Sequence, residues 1–117
     1  EKAVQKNGDD KEIKYYYHMA KGHRLYRKGS ISALWDSITE FGQAMVIRPE
    51  AAEPHFYMAE CYVKKDKEDY NLQIDEFKKV IELEPNSALA KRAKRRIKEL
   101  TDRKVKLEKF WGKKKKN

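Results

Sequence analysis

A pattern of apolar residues ending in proline occurs twice in this chain and constrains the fold more than any other feature. The first copy comprises Tyr26, Ile38, Phe41, Ala44, Ile47 and Pro49. The second copy lies 36 positions later and comprises Tyr62, Ile74, Phe77, Val80, Leu83 and Pro85. Because self-similarity at a fixed period is the signature of stacked repeats, the sequence predicts one structural unit used twice.

The spacing within each copy resembles the second helix of a tetratricopeptide repeat. In both copies a phenylalanine is followed three residues later by a small aliphatic residue, and a proline follows five residues after that. The resemblance covers roughly residues 15–100. The period exceeds the usual length of about 34 residues. The small residue expected in the first helix falls on Gly22 or His23 in the first copy, and on Ala59 in the second. The resemblance implies an all-α helical solenoid of two repeats, closed by a long basic C-terminal capping helix.

Capping and breaking residues predict five helices after a flexible segment at residues 1–8. The first helix is predicted to start at Asp9, with Glu12 completing the cap, and the second at Ser30 or Ser32. The third has Pro54 in its first turn. The fourth is capped by Asp66 with Asp69, and the fifth by Asn86 or Ser87. The predicted ends include Gly29, Pro49 and Pro85, because the residue before a proline is disfavoured in a helix. We expect the fifth helix to reach about Phe110.

Apolar residues recur every three or four positions in these helices and predict their buried faces. Phe41 and Phe77 are expected to be equivalent buried anchors. Residues 9–100 would form the repeat domain, with Leu89, Ala93 and Ile97 covering the open end of the second repeat. Residues 101–117 would be a basic helical extension with a lysine-rich tail.

The net charge of +9 is unevenly distributed. Residues 91–117 carry 14 Lys and Arg against 3 Asp and Glu, a balance of +11, whereas the preceding residues have a balance of −2. This asymmetry favours an anionic partner for the tail, either nucleic acid or anionic lipid. No apolar run approaches the ~20 residues that a membrane span needs.

Cys61 is the only cysteine, which excludes an internal disulfide and favours a reducing compartment such as the cytoplasm. It is either a reactive thiol or a small buried residue, and the second interpretation is favoured. The chain begins with Glu1, so we expect a processed product or an excised piece from which a targeting segment could have been removed.

Enzyme motifs are missing from the sequence, including a glycine-rich phosphate loop, a zinc-protease motif and a nucleophile elbow. His18 and His23 diverge on a helix, and both are interpreted with His55 as packing or surface residues. We therefore predict a non-enzymatic protein with no cofactor and no metal.

In tetratricopeptide arrays the first helices of successive repeats line a concave groove that holds a partner peptide. With Tyr26 and Tyr62 as equivalent positions, the resemblance places in this groove Tyr17, Ala20, Arg24, Arg27, Phe56, Glu60, Val63, Arg92 and Arg96. Arginines beside aromatic rings suit a peptide or helix with carboxylates and a hydrophobic side chain, since arginine binds a carboxylate bidentately. The alternative is a solvated face.

Leu107, Phe110 and Trp111 continue the apolar spacing of the fifth helix beyond Leu100, where we expect the repeats beneath it to end. Four lysines follow directly: Lys113, Lys114, Lys115 and Lys116. Exposed apolar groups beside lysines predict a second contact, with a protein, with phosphates, with anionic lipid or with a second copy through helix five. The alternative is a solubilising terminus with its aromatic rings folded back.

The favoured function is a protein–protein interaction adaptor or scaffold that binds a partner in the groove and makes a second contact through the basic tail. Two alternatives stay open. One is a nucleic-acid or ribosome-associated protein acting through residues 91–117, and the other is a membrane-peripheral anchor.

Overall fold

The computed structural model describes the backbone of residues 2–116 and the side chains of residues 10–112. Within that part the chain is all-helical. The five helices are α1 (Lys2–Lys28), α2 (Ile31–Ile47), α3 (Glu53–Lys65), α4 (Tyr70–Leu83) and α5 (Ala88–Lys116). Each helix packs against the next one in the chain, and α3 also contacts α1 and α5. The predicted all-α class and the five helices are confirmed.

Serine caps start α2 and α5. Ser30 Oγ accepts a hydrogen bond from the Ala33 amide at 3.1 Å, and Ser87 Oγ accepts one from the Ala90 amide at 3.0 Å. Gly29 has a φ of +74°, a left-handed conformation that glycine adopts without steric cost and that ends α1. These bounds agree with the sequence, because capping acts over only three or four residues.

Two predicted helix starts differ from the structure. The backbone is already helical from Lys2, so the start predicted at Asp9 is wrong, while the flexibility predicted for residues 1–8 stays a prediction. Asp69 occupies the N-cap position of α4, but its side chain makes no capping hydrogen bond. Asp66 instead accepts a hydrogen bond from the Glu68 amide, at 3.0 Å, and so stabilises the turn before the helix.

Two apolar clusters hold the helices together. Phe41 belongs to the cluster between α1, α2 and α3, and Phe77 belongs to the cluster between α3, α4 and α5. Both rings are 0% exposed, which confirms that they are equivalent buried anchors. Tyr57 packs against both clusters, so α3 is apolar on two sides and joins the two halves of the molecule.

One polar contact occurs in both helical hairpins. His18 Nδ1 lies 2.9 Å from Glu40 Oε1 between α1 and α2, and His55 Nδ1 lies 3.1 Å from Glu76 Oε2 between α3 and α4. The two glutamates are 36 residues apart, whereas the two histidines are 37 apart. Equivalent residues of α1 and α3 at this contact are therefore 37 positions apart, one more than the 36 that separate Tyr26 from Tyr62. The small residue against Phe41 is Gly22.

Helix α4 lies beneath α5 further along than the sequence predicted. Lys104 Nζ donates a hydrogen bond to Asn71 Oδ1 at 2.9 Å, and Leu107 lines a cavity of about 210 Å³ together with Tyr70. The prediction that the repeats end beneath the helix near Leu100 is therefore wrong. The start of α4 and the turn before it lie against α5 from Lys104 to Glu108. As predicted, Leu89, Ala93 and Ile97 pack on the second cluster.

Candidate functional site

Four of the five groove residues predicted on α3 and α5 come together in one open cavity of about 150 Å³, whereas Val63 packs against the second apolar cluster. The cavity is lined by Phe56, Glu60, Arg92, Arg95, Arg96 and Glu99. Phe56 is buried in the second apolar cluster, and the guanidinium carbon of Arg92 lies over its ring, 4.6 Å from the centroid. This cation–π contact positions Arg92 beside an aromatic floor.

Arg96 is held by carboxylates of the protein itself. Its Nη2 lies 2.8 Å from Glu60 Oε1 on α3, and its Nη1 lies 2.8 Å from Glu99 Oε2 one turn further along α5. Burial opposes the charge, yet Glu60 and Glu99 outweigh it and raise the pKa of Arg96 above its ordinary value. This guanidinium therefore stays charged and links α3 to α5.

Arg92 and Arg95 are exposed, and neither forms an ion pair with a residue that the structure describes. Three arginines face two glutamates in the cavity lining, which leaves an excess of positive charge. The cavity can thus accept a carboxylate. The sequence analysis did not predict Arg95 in the groove, because the repeat alignment pairs it with the apolar Ala59. Its position three residues after Arg92 could have indicated that both lie on one face of the helix.

The α1 members of the predicted groove, Tyr17, Arg24 and Arg27, do not line this cavity. All three are exposed, and the Tyr17 ring lies against His18 and 5.8 Å from Lys21 Nζ. The structure therefore brings together the α3 and α5 members and leaves the α1 members on another part of the surface.

The histidines and the cysteine have packing roles. His23 Nε2 lies 3.4 Å from Glu53 Oε1, so each histidine faces a glutamate on a neighbouring helix. Among residues 10–112, no three His, Cys, Asp or Glu side chains converge as metal ligands. Cys61 is buried, donates its S–H to Ser37 Oγ at 3.3 Å, and has a pKa raised by that burial. It is a small buried residue rather than a reactive thiol.

The predicted tail contact lies partly within the described side chains. Leu107 is half-buried, whereas Phe110 and Trp111 are 50% and 53% exposed, with their ring centroids 5.7 Å apart. The side chains of Lys113, Lys114, Lys115 and Lys116 lie outside the described ones. None of the helices that the structure describes combines the length and the apolar character needed to cross a membrane.

No protein-family model matches this chain, and no curated protein matches it.

Proposed function

We propose that this chain is a non-enzymatic interaction module of the tetratricopeptide type, an adaptor whose α3–α5 cavity binds an acidic peptide or helix. The observation that carries this proposal is that Arg92, over the Phe56 ring, and Arg95 line one cavity without an ion pair to any described residue, while Arg96 is bound by Glu60 and Glu99. The repeat of the histidine–glutamate contact in both hairpins supports the repeat architecture.

The cavity suits one carboxylate next to one apolar group. Arg92 and Arg95 supply charge-assisted donors, and the aliphatic parts of their side chains supply apolar contact above the buried Phe56 ring. A volume of about 150 Å³ accommodates a side chain rather than a whole peptide. Further contacts of the partner would fall outside the cavity, and the exposed Tyr17, Arg24 and Arg27 of α1 are available for them.

The tail adds a second contact in this proposal. Phe110 and Trp111 are about half exposed and present apolar surface near the end of α5, and Lys113 to Lys116 follow in the sequence. The apolar groups would supply most of the affinity, because exposed lysines contribute mainly to the rate and orientation of encounter.

A selection from a random peptide library displayed on phage tests the cavity. Enriched peptides are expected to carry Asp or Glu next to a hydrophobic residue. Arg92→Glu should weaken the binding of a synthetic enriched peptide at least about tenfold, which corresponds to about 1.4 kcal/mol. The matched control is Arg103→Glu, which makes the same charge change at an exposed position of α5 outside the cavity. Equal binding by both variants, or enrichment without acidic residues, would show that the proposal is wrong.

A further inference from the structure

The side of α5 that faces away from α3 and α4 is a row of cations. Helical periodicity places it opposite Ala93, Ile97 and Leu100, which pack on the second cluster. The exposed basic residues along it are Lys91, Lys94, Arg95, Lys98, Lys106 and Lys109. From Lys91 to Lys109 the row is about 27 Å long at about 1.5 Å per residue. The acidic residues on this side are Asp102 and Glu99, and Glu99 is paired with Arg96.

These six cations form no ion pair with any residue in the described part of the chain. The ion pairs of α5 are made instead by Arg96 and by Lys104, whose Nζ lies 3.9 Å from Glu108 Oε1. Like charges three or four positions apart repel each other and destabilise a helix by a few tenths of a kcal/mol per pair. A polyanion lying along the row would relieve this repulsion.

The packing of α5 distinguishes between possible polyanions. A helix that binds a membrane surface buries its apolar face in the lipid. In α5 that face is already covered over most of its length, because Ile97 and Leu100 pack in the protein core and Lys104 bonds to Asn71 on α4. What remains outside is a mainly basic face, in which Asp102 and the 42% exposed Val105 lie between Lys98 and Lys106. A nucleic-acid duplex presents about one negative charge per 1.7 Å along its axis and therefore offers more phosphates than the row has cations.

We propose that the outer face of α5, from Lys91 to Lys109, binds the phosphate backbone of a nucleic-acid duplex without reading its sequence. Five of the six cations are lysines, whose ammonium groups are point charges without the bidentate geometry that arginine uses on guanine. The row shares Arg95 with the peptide cavity, whereas Arg92 and Phe56 belong to the cavity alone. Neither proposal requires the other.

The test measures binding of the intact chain to short duplexes of DNA and of RNA while the salt concentration is varied. If four phosphates are neutralised, the slope of log affinity against log salt should be about −3.6, a loss of about 150-fold between about 50 and 200 mM salt. Two duplexes of unrelated sequence should bind equally. The triple variant Lys91→Glu, Lys94→Glu, Lys98→Glu should lose at least about tenfold more affinity than its control, because three phosphate contacts are removed.

The matched control is Lys11→Glu, Lys14→Glu, Lys28→Glu, which makes the same change in net charge at exposed positions of α1. Equal losses in the two triple variants would overturn the proposal, since net charge alone would then explain binding. A shallow slope, or binding to phosphatidylserine vesicles without binding to either duplex, would also overturn it. Helicity by circular dichroism checks folding. The milder Lys94→Gln variant should reduce the slope by about 0.9 if that lysine contacts a phosphate.

Discussion

Glu60 and Arg96 lie 36 residues apart in the sequence, and Glu60 Oε1 accepts a hydrogen bond from Arg96 Nε at 2.8 Å. Their separation equals the spacing of the repeated apolar pattern, so the two residues occupy equivalent places on α3 and α5. Both side chains are mostly buried, with exposures of 17% for Glu60 and 23% for Arg96. The ion pair therefore joins α3 to α5 and forms one wall of the cavity.

A double-mutant cycle on Glu60→Ala and Arg96→Ala should give a coupling energy of about 1 kcal/mol, because the pair is close and shielded from water. Urea unfolding of the wild type, both single variants and the double variant measures it. The control cycle on Lys104 and Glu108 should give about 0.5 kcal/mol or less, since that pair is long and exposed. Equal coupling in both cycles would contradict a structural role for the Glu60–Arg96 pair.

Replacing Phe77 by Ala should lower the free energy of unfolding by about 3–5 kcal/mol, because it removes a fully buried ring and leaves a cavity. Phe41→Ala should cost a similar amount. Thermal melting measures both. Phe110→Ala is the control, since that half-exposed ring should change stability by only about 0.5 kcal/mol. An unchanged melting temperature in Phe77→Ala would mean that the second cluster is not the core described here.

Gly22 and Gly42 should respond in opposite directions to replacement by Ala. A Cβ at Gly22 would lie 2.7 Å from Phe41 Cε1, so the variant should lose about 1–3 kcal/mol through overpacking. At Gly42 the nearest atom is Met58 Cε at 3.8 Å, an ordinary contact, and Ala is favoured over Gly in a helix by up to about 1 kcal/mol. Gly42→Ala should therefore be neutral or stabilising. Chemical denaturation measures the free energy of unfolding of both variants. A stabilised Gly22→Ala variant would show that Phe41 does not pack on this glycine.

Acid should destabilise the protein partly through Glu76. Burial raises the pKa of Glu76, but hydrogen bonds from His55 and Lys79 outweigh it and bring the pKa below its ordinary value of 4.5. A carboxyl with a lower pKa in the folded chain stabilises that chain above the unfolded pKa, and the contribution is lost as the pH falls through the folded value. Glu76→Gln should thus be less stable at neutral pH and lose less stability below about pH 4.5.

The matched control for this pH dependence is Glu82→Gln, at an exposed position of the same helix. Unfolding by urea at neutral and at acidic pH provides the comparison. A difference between the two pH values that is as large in Glu76→Gln as in the wild type would exclude this role of Glu76.

The tail is expected to act as a separate docking element, and Trp111 can report it. Trp35 is also 53% exposed, so the measurement requires a Trp35→Phe background. Trp111 emission should be that of an exposed indole in the monomer and should shift to the blue on addition of vesicles or at high protein concentration, if lipid or a second copy is the partner. Truncation after Leu100 should leave the chain helical and abolish its vesicle binding or self-association, which sedimentation measures because the truncated chain lacks Trp111. Emission already blue-shifted and protected from acrylamide in a proven monomer would mean that the tail packs on its own repeats.

The sequence by itself determined the features that depend on a few neighbouring residues. Ser30, Ser87 and the prolines mark helix ends because capping and proline sterics act within one turn. The apolar spacing identified Phe41 and Phe77, since the face that a helix buries repeats every three or four residues. The sequence also predicted that Phe56, Glu60, Arg92 and Arg96 lie together, because α3 and α5 keep the period of 36.

Only the tertiary structure decided which distant side chains meet. It places the residues of α1 one position away from the predicted alignment, so that His18 faces Glu40. It also shows that the start of α4 contacts α5 as far as Leu107. It also shows that Arg96 forms ion pairs with Glu60 and Glu99, whereas Arg95 lines the cavity. These outcomes depend on how helices lie against one another, and a difference of one residue rotates a helical side chain by about 100°, from one neighbour to another.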